Sequence, residues 1–142
     1  MTELYLYRST VFFLVILAQC YVPVFGAPEV EWVTGWGTEH EDHVFEGVHV
    51  QAGGFCVVGK CGEPDSSTAN GFVMKVDANG EQEWLTVLGK QSFHDEARCV
   101  VESHDGFIVG GTMGISKRRS KACLWKISLS REVTWKKVLD HK

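Results

Sequence analysis

Two stretches that match each other along their length decide the fold of this 142-residue chain. Residues 29–80 read EVEWVTGWGTEHEDHVFEGVHVQAGGFCVVGKCGEPDSSTANGFVMKVDANG, and residues 81–131 read EQEWLTVLGKQSFHDEARCVVESHDGFIVGGTMGISKRRSKACLWKISLSR. A partial third copy, residues 132–142, begins with EVTWKKVL. Self-similarity at a fixed period is the sequence signature of repeat architectures, in which each copy forms one supersecondary unit.

The matched residues keep nearly constant spacing. Trp32, Trp84 and Trp135 are 52 and 51 residues apart. Three glycine pairs and one lysine pair keep the same offsets: Gly37 with Gly89, Gly54 with Gly106, Gly59 with Gly111, and Lys75 with Lys126. The repeat therefore extends over nearly all of residues 27–142.

Short apolar runs bounded by glycine turns predict a meander of four antiparallel strands in each copy. The predicted strands are residues 44–50, 55–59, 72–76 and 83–88, then 97–102 and 107–109. Glycines such as Gly54 and Gly106 supply the positive φ that tight hairpin turns need, and Asn79-Gly80 is a strong hairpin signal. The second copy has Ser128 to Arg131 in that place and lacks the signal.

The second strand of each copy is apolar on both faces. In the first copy Phe55 and Val57 point one way, whereas Cys56 and Val58 point the other way. Such a strand must be covered on both sides. The blades of a β-propeller meet this demand, and a two-layer sandwich is the alternative. We therefore predict an all-β fold of two four-stranded antiparallel propeller-like blades plus a terminal strand.

The order of tryptophan, aspartate, Gly-Phe-Val strand, Lys-Val-Asp-Ala-Asn-Gly and a second tryptophan resembles the propeller-type repeats of secreted and cell-surface proteins. It is similar to the delta-60 and WD40-like repeats of exported bacterial proteins. The residues that carry the resemblance are Trp32, Asp42, Gly54, Phe55, Gly59, Lys75, Asp77, Asn79, Gly80 and Trp84, then Asp95, Asp105, Gly106, Phe107, Gly111, Lys126 and Trp135.

Copy number separates this chain from a closed propeller, which needs at least about 4 blades. Three arrangements remain open: assembly with other copies, a shortened relative of a larger propeller enzyme or lectin, or an open two-sheet unit. The stretch Glu132 to Leu139 alternates like an outer strand, so it either closes the second sheet or joins the sheet of a neighbouring copy. Exposed faces and edges favour self-association.

The first 26 residues have the layout of a secretory signal peptide, with Arg8 ahead of the apolar run VFFLVILA at residues 11–18. Val24 and Gly26 fit the small-residue preference, which predicts cleavage between Gly26 and Ala27. The run is too short for a membrane span of about 20 apolar residues. A net charge of -4 argues against nucleic acid as a partner. We expect a secreted, extracellular protein.

Four cysteines follow the leader: Cys56, Cys61, Cys99 and Cys123. An even number in an oxidising compartment predicts two disulfides, with connectivity left open. Unpaired core thiols are the alternative.

The remaining side chains suggest binding rather than chemistry. The basic run Lys117, Arg118, Arg119 and Lys121 falls in a predicted long loop and is a candidate site for a sulfated polysaccharide or another anion. Ser103-His104-Asp105 is read as a hairpin turn, because the members of a catalytic triad converge from separated positions. We expect no catalytic residue, no metal site and no cofactor. The predicted function is a non-enzymatic extracellular binding or matrix protein that takes an unknown protein or polysaccharide partner; a structural role in a cuticle, shell or skeleton is an alternative.

Overall fold

The structure is a computed structural model that describes residues 31–62, 69–89, 93–116 and 118–139. The described residues contain strands and no helix. The strands are β1 His43–His49, β2 Phe55–Gly62, β3 Ala69–Val76, β4 Gln82–Leu88, β5 Glu96–Ser103, β6 Gly106–Ser116, β7 Arg119–Ser128 and β8 Val133–Val138. The predicted signal peptide and its cleavage site between Gly26 and Ala27 lie outside the described residues.

The strands form two four-stranded sheets with the same topology. Sheet 1 has the order β1-β2-β3-β4, sheet 2 has the order β5-β6-β7-β8, and all neighbours are antiparallel. The prediction of an all-β fold with two such sheets is confirmed. Within the described residues the two sheets do not close into a propeller.

Each sheet is displaced by one strand from the sequence copies. Sheet 1 runs from β1 to β4, and β4 comes from the beginning of the second copy. In the same way β8, the predicted terminal strand, is the fourth strand of sheet 2 rather than an addition to it. Residues 31–42, which open the first copy, form no strand. In each sheet the fourth strand follows the third through a tight hairpin, and this fourth strand belongs to the next sequence copy. Each sheet therefore contains residues from two copies.

The two sheets share their irregularities as well as their order. The first strand pair of each sheet has a register shift, between Val44 and Glu46 in sheet 1 and between Ala97 and Cys99 in sheet 2. In the pairing of the third and fourth strands, the register shifts directly after Lys75 in sheet 1 and directly after Lys126 in sheet 2. Bulges at matched places bend the two sheets in the same way.

Sheet 1 packs with one face against sheet 2, and the main core lies between them. The buried core comprises Val50, Cys56, Val58, Val73 and Leu88 from the sheet 1 side and Ala97, Val100, Phe107, Val109, Cys123, Trp125 and Ile127 from sheet 2. Trp84 packs on Phe107 with ring centroids 5.9 Å apart. We call these the inner faces, and the two faces that point away from each other the outer faces.

Polar contacts fix the position of the two sheets. The Val100 amide donates to the Glu46 carboxylate at 2.7 Å, and the Gln51 amide donates to the Glu102 carboxylate at 2.9 Å. Each of these bonds satisfies a backbone donor of one sheet with a side chain of the other, so the packing is specific rather than merely apolar.

Candidate binding surface

The outer face of sheet 1 carries no formal charge in its paired strands. Its β2 and β3 positions are Phe55, Val57, Gly59 and Cys61, then Asn70, Phe72, Met74 and Val76. Its β1 and β4 positions are Val44, Gly47, His49, Gln82, Leu85 and Val87. An antiparallel sheet normally places polar side chains on a solvent face. This face is therefore built to be covered.

Residues 32–36 cover part of this face. The Trp32 ring lies edge-on to Phe55, with centroids 6.1 Å apart, and the Trp36 ring lies 4.8 Å from Phe72. Phe72, Met74, Val76 and Cys61 form a second buried cluster here, with Trp36 against it. Tryptophan supplies a large apolar area per residue, so a short segment without regular structure is enough to bury this cluster.

An open cleft of about 470 Å³ lies between that segment and the sheet. Its walls include Trp32, Trp36, Val44, Phe55, Val57 and Met74, and none of its lining residues carries a formal charge. Concave, mostly apolar sites of this size are the usual form of ligand pockets. Val44 and Phe55 are 60% and 38% exposed, so the cleft presents apolar surface to a partner.

A second cavity of about 280 Å³ lies between the sheets near their hairpin ends. Lys75, Glu83, Glu102 and Arg131 line it beside Trp84 and other apolar groups. Three of these four charges are engaged, because Lys75 Nζ lies 3.3 Å from Glu83 and Glu102 accepts from the Gln51 amide. This cavity belongs to the packing of the two sheets.

The repeated lysines are structural. Lys75 is buried and donates to the carbonyl oxygens of Gly53 at 2.7 Å and Val76 at 2.8 Å. Lys126 is buried at the matching position and donates to Ser103 and Asp105. The hydrogen bond from Lys126 lowers the pKa of the Asp105 carboxyl. Buried amines of this kind are tolerated because they are hydrogen-bonded.

This arrangement agrees with the turn predicted for Ser103-His104-Asp105. Residues 104–105 form the turn between β5 and β6, and Gly106 follows with a φ of 138°. The Ser103 hydroxyl donates to the Gly106 carbonyl at 2.9 Å, which ties the turn to itself. Ser103 and Asp105 both hold Lys126, so they serve the hairpin.

The repeated aspartates hold loops in place. Asp42 accepts from the hydroxyl of Thr38 at 3.0 Å and from the Gly62 amide at 3.2 Å. Burial alone would raise the pKa of Asp42, but the hydrogen bonds from Thr38 and Gly62 outweigh it and lower that pKa. Asp95 is 1% exposed and accepts from the Gly114 amide at 2.8 Å. Both carboxylates therefore accept a hydrogen bond from a glycine amide, and the two glycines, Gly62 and Gly114, hold equivalent positions in the two copies.

The structure gives all four cysteines as free thiols and brings no two of them together. Cys56 and Cys61 point to opposite faces of β2, since they are five positions apart along the strand. Cys123 is buried on the inner face of sheet 2, whereas Cys99 is exposed on its outer face. Burial raises the pKa of Cys56 to about 12, so this thiol stays protonated and is a poor nucleophile.

The basic run lies on a tight hairpin instead of the predicted long loop. β6 extends to Ser116 and β7 begins at Arg119, so two residues connect them. Arg118 and Arg119 are exposed and Lys121 is half-buried on β7. Lys117 lies outside the described residues. The prediction of a long loop was wrong because pairing of Ser116 with Arg119 extends the sheet into the run.

The described residues contain no group of three or more His, Cys, Asp and Glu side chains that could hold a metal ion. Across the described ranges, no helix has the length and apolarity that a membrane crossing requires. Comparison with known proteins finds no family model that matches the chain and no curated protein with significant similarity to it.

Sequence reasoning missed the cleft and its tryptophans as a site. Trp32 was evident as a repeated residue, but the repeat predicts that it behaves like Trp84 and Trp135 in a fourth strand. Residues 32–36 form no strand, and their tryptophans pack on the outer face of sheet 1 instead. Trp36 has Leu88 as its counterpart, and this departure from the repeat was the available signal.

Proposed function

We propose that the chain is a secreted, non-enzymatic binding protein built on propeller-like blades, and that it takes an extracellular protein or polysaccharide at the outer face of sheet 1. The observation that carries this proposal is the open cleft of about 470 Å³, walled by Trp32, Trp36 and Phe55 and free of charged lining residues. Aromatic rings without neighbouring charges suit the apolar faces of sugar rings and of protein side chains.

The engagement of the polar residues supports a binding role. A catalytic acid or base needs a free functional atom within reach of a substrate. Asp42, Asp95 and Asp105 each accept hydrogen bonds that hold loops or turns, and Lys75 and Lys126 are buried donors to such turns. A reaction at any of these side chains would break hydrogen bonds that maintain the loops and turns.

Secretion is proposed on the leader alone, with removal of residues 1–26 leaving a chain that begins at Ala27. The comparison of the two sheets supports the propeller-like description, because both have the same order and the same bulge positions.

A role in a secreted organic matrix is the second candidate, and the hairpin at residues 117–121 favours it. Arg118 and Arg119 are adjacent and exposed where β7 begins. Clustered guanidinium groups bind sulfate and carboxylate groups well, which are the groups of acidic matrix polysaccharides.

The test begins with expression of the full chain in a secreting cell, where we expect protein in the medium that begins at Ala27. The secreted protein is then titrated with chitin-derived and cellulose-derived oligosaccharides and with heparin, and tryptophan fluorescence is recorded. We expect saturable binding that weakens at least about tenfold in Trp36→Ala. Leu129→Asp is the matched control, because Leu129 is 70% exposed in the β7–β8 turn, away from the cleft.

Retention of the whole chain inside the cell contradicts the proposed secretion. Oligosaccharide binding that is unchanged in Trp36→Ala contradicts the proposed surface. Heparin binding that is lost in an Arg118→Ala, Arg119→Ala double variant but kept in Trp36→Ala supports the matrix candidate instead.

A further inference from the structure

The cross-strand rows of the two sheets show that their faces are built alike. One row of sheet 1 joins Val48, Cys56, Lys75 and Trp84 through successive strand pairs. The matching row of sheet 2 joins Val101, Ile108, Lys126 and Trp135. The first row lies on the inner face of sheet 1, whereas the second lies on the outer face of sheet 2.

The neighbouring rows show the reverse arrangement, with the sheet 2 row on an inner face and its sheet 1 counterpart on an outer face. The row of Glu102, Phe107, Ile127 and Val133 lies on the inner face of sheet 2. Its counterpart, on the outer face of sheet 1, is the row of His49, Phe55, Val76 and Gln82. The chain therefore contains one sheet-to-sheet interface, and its two outer faces repeat the two halves of that interface.

Exposure of apolar side chains marks both outer faces. Phe55 and Val44 are 38% and 60% exposed on sheet 1, and Trp135 and Val101 are 44% and 56% exposed on sheet 2. The charged member of the sheet 2 row, Lys126, is already bound by Ser103 and Asp105. Packing over this row would therefore bury no new charge without a partner, while Lys137, exposed on the same face beside Trp135, stays at the edge strand β8.

The contact of Trp32 shows what the outer face of sheet 1 accepts. Trp32 and Phe55 have centroids 6.1 Å apart, and their counterparts Trp84 and Phe107 have centroids 5.9 Å apart. Within the chain, a tryptophan of the repeat thus occupies the Phe55 position as Trp84 occupies the Phe107 position. Trp135 is the third tryptophan of this set, and among the described residues no phenylalanine ring packs against it in this way.

We infer that the outer face of sheet 2 binds the outer face of sheet 1 of a second copy, head to tail, with Trp135 of one copy in the place that Trp32 holds on Phe55 of the other. This inference rests on the proposed function, because it names a second copy as one partner of the same surface. The interface joins two different faces, so it is heterologous and leaves one face of each kind open at the ends of an assembly.

Residues 32–36 act as a cover in this arrangement. Trp32 and Trp135 of a second copy compete for one position beside Phe55. The two tryptophans are therefore expected to have opposite effects: loss of Trp135 weakens association, and loss of Trp32 strengthens it.

Sedimentation velocity of the full mature chain over a wide concentration range tests the inference. We expect concentration-dependent association of the wild type, monomers for Trp135→Asp and for Phe55→Asp, and no change for the control Leu129→Asp. Trp32→Ala is expected to lower the concentration of half-association about tenfold. An equal mixture of Trp135→Asp and Phe55→Asp is expected to form a dimer with one copy of each and nothing larger, since each variant retains one intact face.

The mixture also shows that both variants are folded, because a misfolded chain would not restore the pairing. Absence of the mixed dimer contradicts the inference, and so does a wild type that stays monomeric together with Trp32→Ala. Association that is lost in Phe55→Asp but kept in Trp135→Asp contradicts the head-to-tail pairing while sustaining the outer face of sheet 1 as a binding surface. Association and oligosaccharide binding that are both unaffected by Phe55→Asp contradict the pairing and the proposed function together.

Discussion

At the scale of single residues, Arg131 shows how the fold overrides a missing turn signal. Its φ is 73°, and it is the only described residue other than glycine with a positive φ. It donates its amide to the Ser128 carbonyl at 3.0 Å, as Gly80 donates to the Asp77 carbonyl at 3.2 Å in the first hairpin. The Ser128 hydroxyl accepts from the Glu132 amide at 3.2 Å, in the role of the Asp77 carboxylate. Serine and arginine thus form a turn that Asp-Ala-Asn-Gly would form with less strain.

Arg131→Gly should therefore raise the free energy of unfolding by about 1 kcal/mol, since glycine adopts a positive φ without the steric cost that a Cβ atom brings. The Thr86 hydroxyl donates to the carbonyl oxygen of residue 131, a bond that the substitution retains. Urea unfolding measures the change. Ser130→Gly is the control, because Ser130 has no positive φ and should lose stability instead.

The two repeated aspartates differ in burial, and this difference predicts a difference in stability. Asp95→Ala should lower the free energy of unfolding by about 2 to 3 kcal/mol, because it leaves the Gly114 amide without its acceptor in a buried place. Asp42→Ala should cost about 1 kcal/mol, since Asp42 is only half-buried. Equal losses in thermal and urea unfolding would contradict the assignment of Asp95 as the stronger of the two loop anchors.

At the scale of elements, the sheet 2 hairpins are tied together by one clamp. Lys126 on β7 donates to Ser103 at the end of β5 and to Asp105 in the turn that leads to β6. The clamp thus links β7, the end of β5 and the β5–β6 turn through one ammonium group. In sheet 1 the same lysine position, Lys75, contacts backbone carbonyl oxygens and Glu83. Only sheet 2 therefore depends on a turn carboxylate for this contact.

Acid should weaken this clamp. The Lys126 hydrogen bond lowers the pKa of Asp105 below its ordinary value of 3.8, so the stabilisation is present above that value and is lost as pH falls through the folded-state pKa. Asp105→Asn should lower stability at neutral pH and lose less of it on acidification. The two proteins should therefore converge in stability only when the pH falls below the lowered folded-state pKa of Asp105. Parallel curves of unfolding free energy against pH would contradict the role of Asp105.

At the scale of the whole molecule, the two sheets share one core instead of having two. The main buried cluster draws on both sheets, and the bonds from Val100 to Glu46 and from Gln51 to Glu102 cross between them. Neither inner face can keep its buried residues without the other. The two sheets should therefore unfold as a single cooperative unit.

Trp84→Ala tests this expectation. Loss of the ring that packs on Phe107 should lower the free energy of unfolding by about 2 to 4 kcal/mol while retaining a single transition. Fluorescence and far-ultraviolet circular dichroism should give coincident urea curves. Two separate transitions would show that each sheet is stable alone. Trp135→Ala is the matched control, since Trp135 is 44% exposed on an outer face and should cost less.

The sequence by itself determined most of the strands and those turns that carry a local signal, which the turn at Ser128 to Arg131 and the basic hairpin do not. The alternation of apolar residues, the Gly54 and Gly106 turns and the Asn79-Gly80 hairpin are local signals, and local backbone preferences act wherever the chain lies. The apolar character of both faces of β2 also indicated that sheet 1 needs a cover on each side.

Only the tertiary structure decided which strands share a sheet, what covers each face and where the charges lie. Equivalent residues of a repeat are expected to have equivalent surroundings, but the three repeated tryptophans do not. Trp32 lies in a covering segment, Trp84 lies in the core, and Trp135 lies on an exposed outer face. The position of a copy along the chain sets which neighbour it has, and a local pattern carries no information on that neighbour. The cleft, the free thiols and the tight basic hairpin are consequences of this packing, because each depends on contacts between residues far apart in sequence.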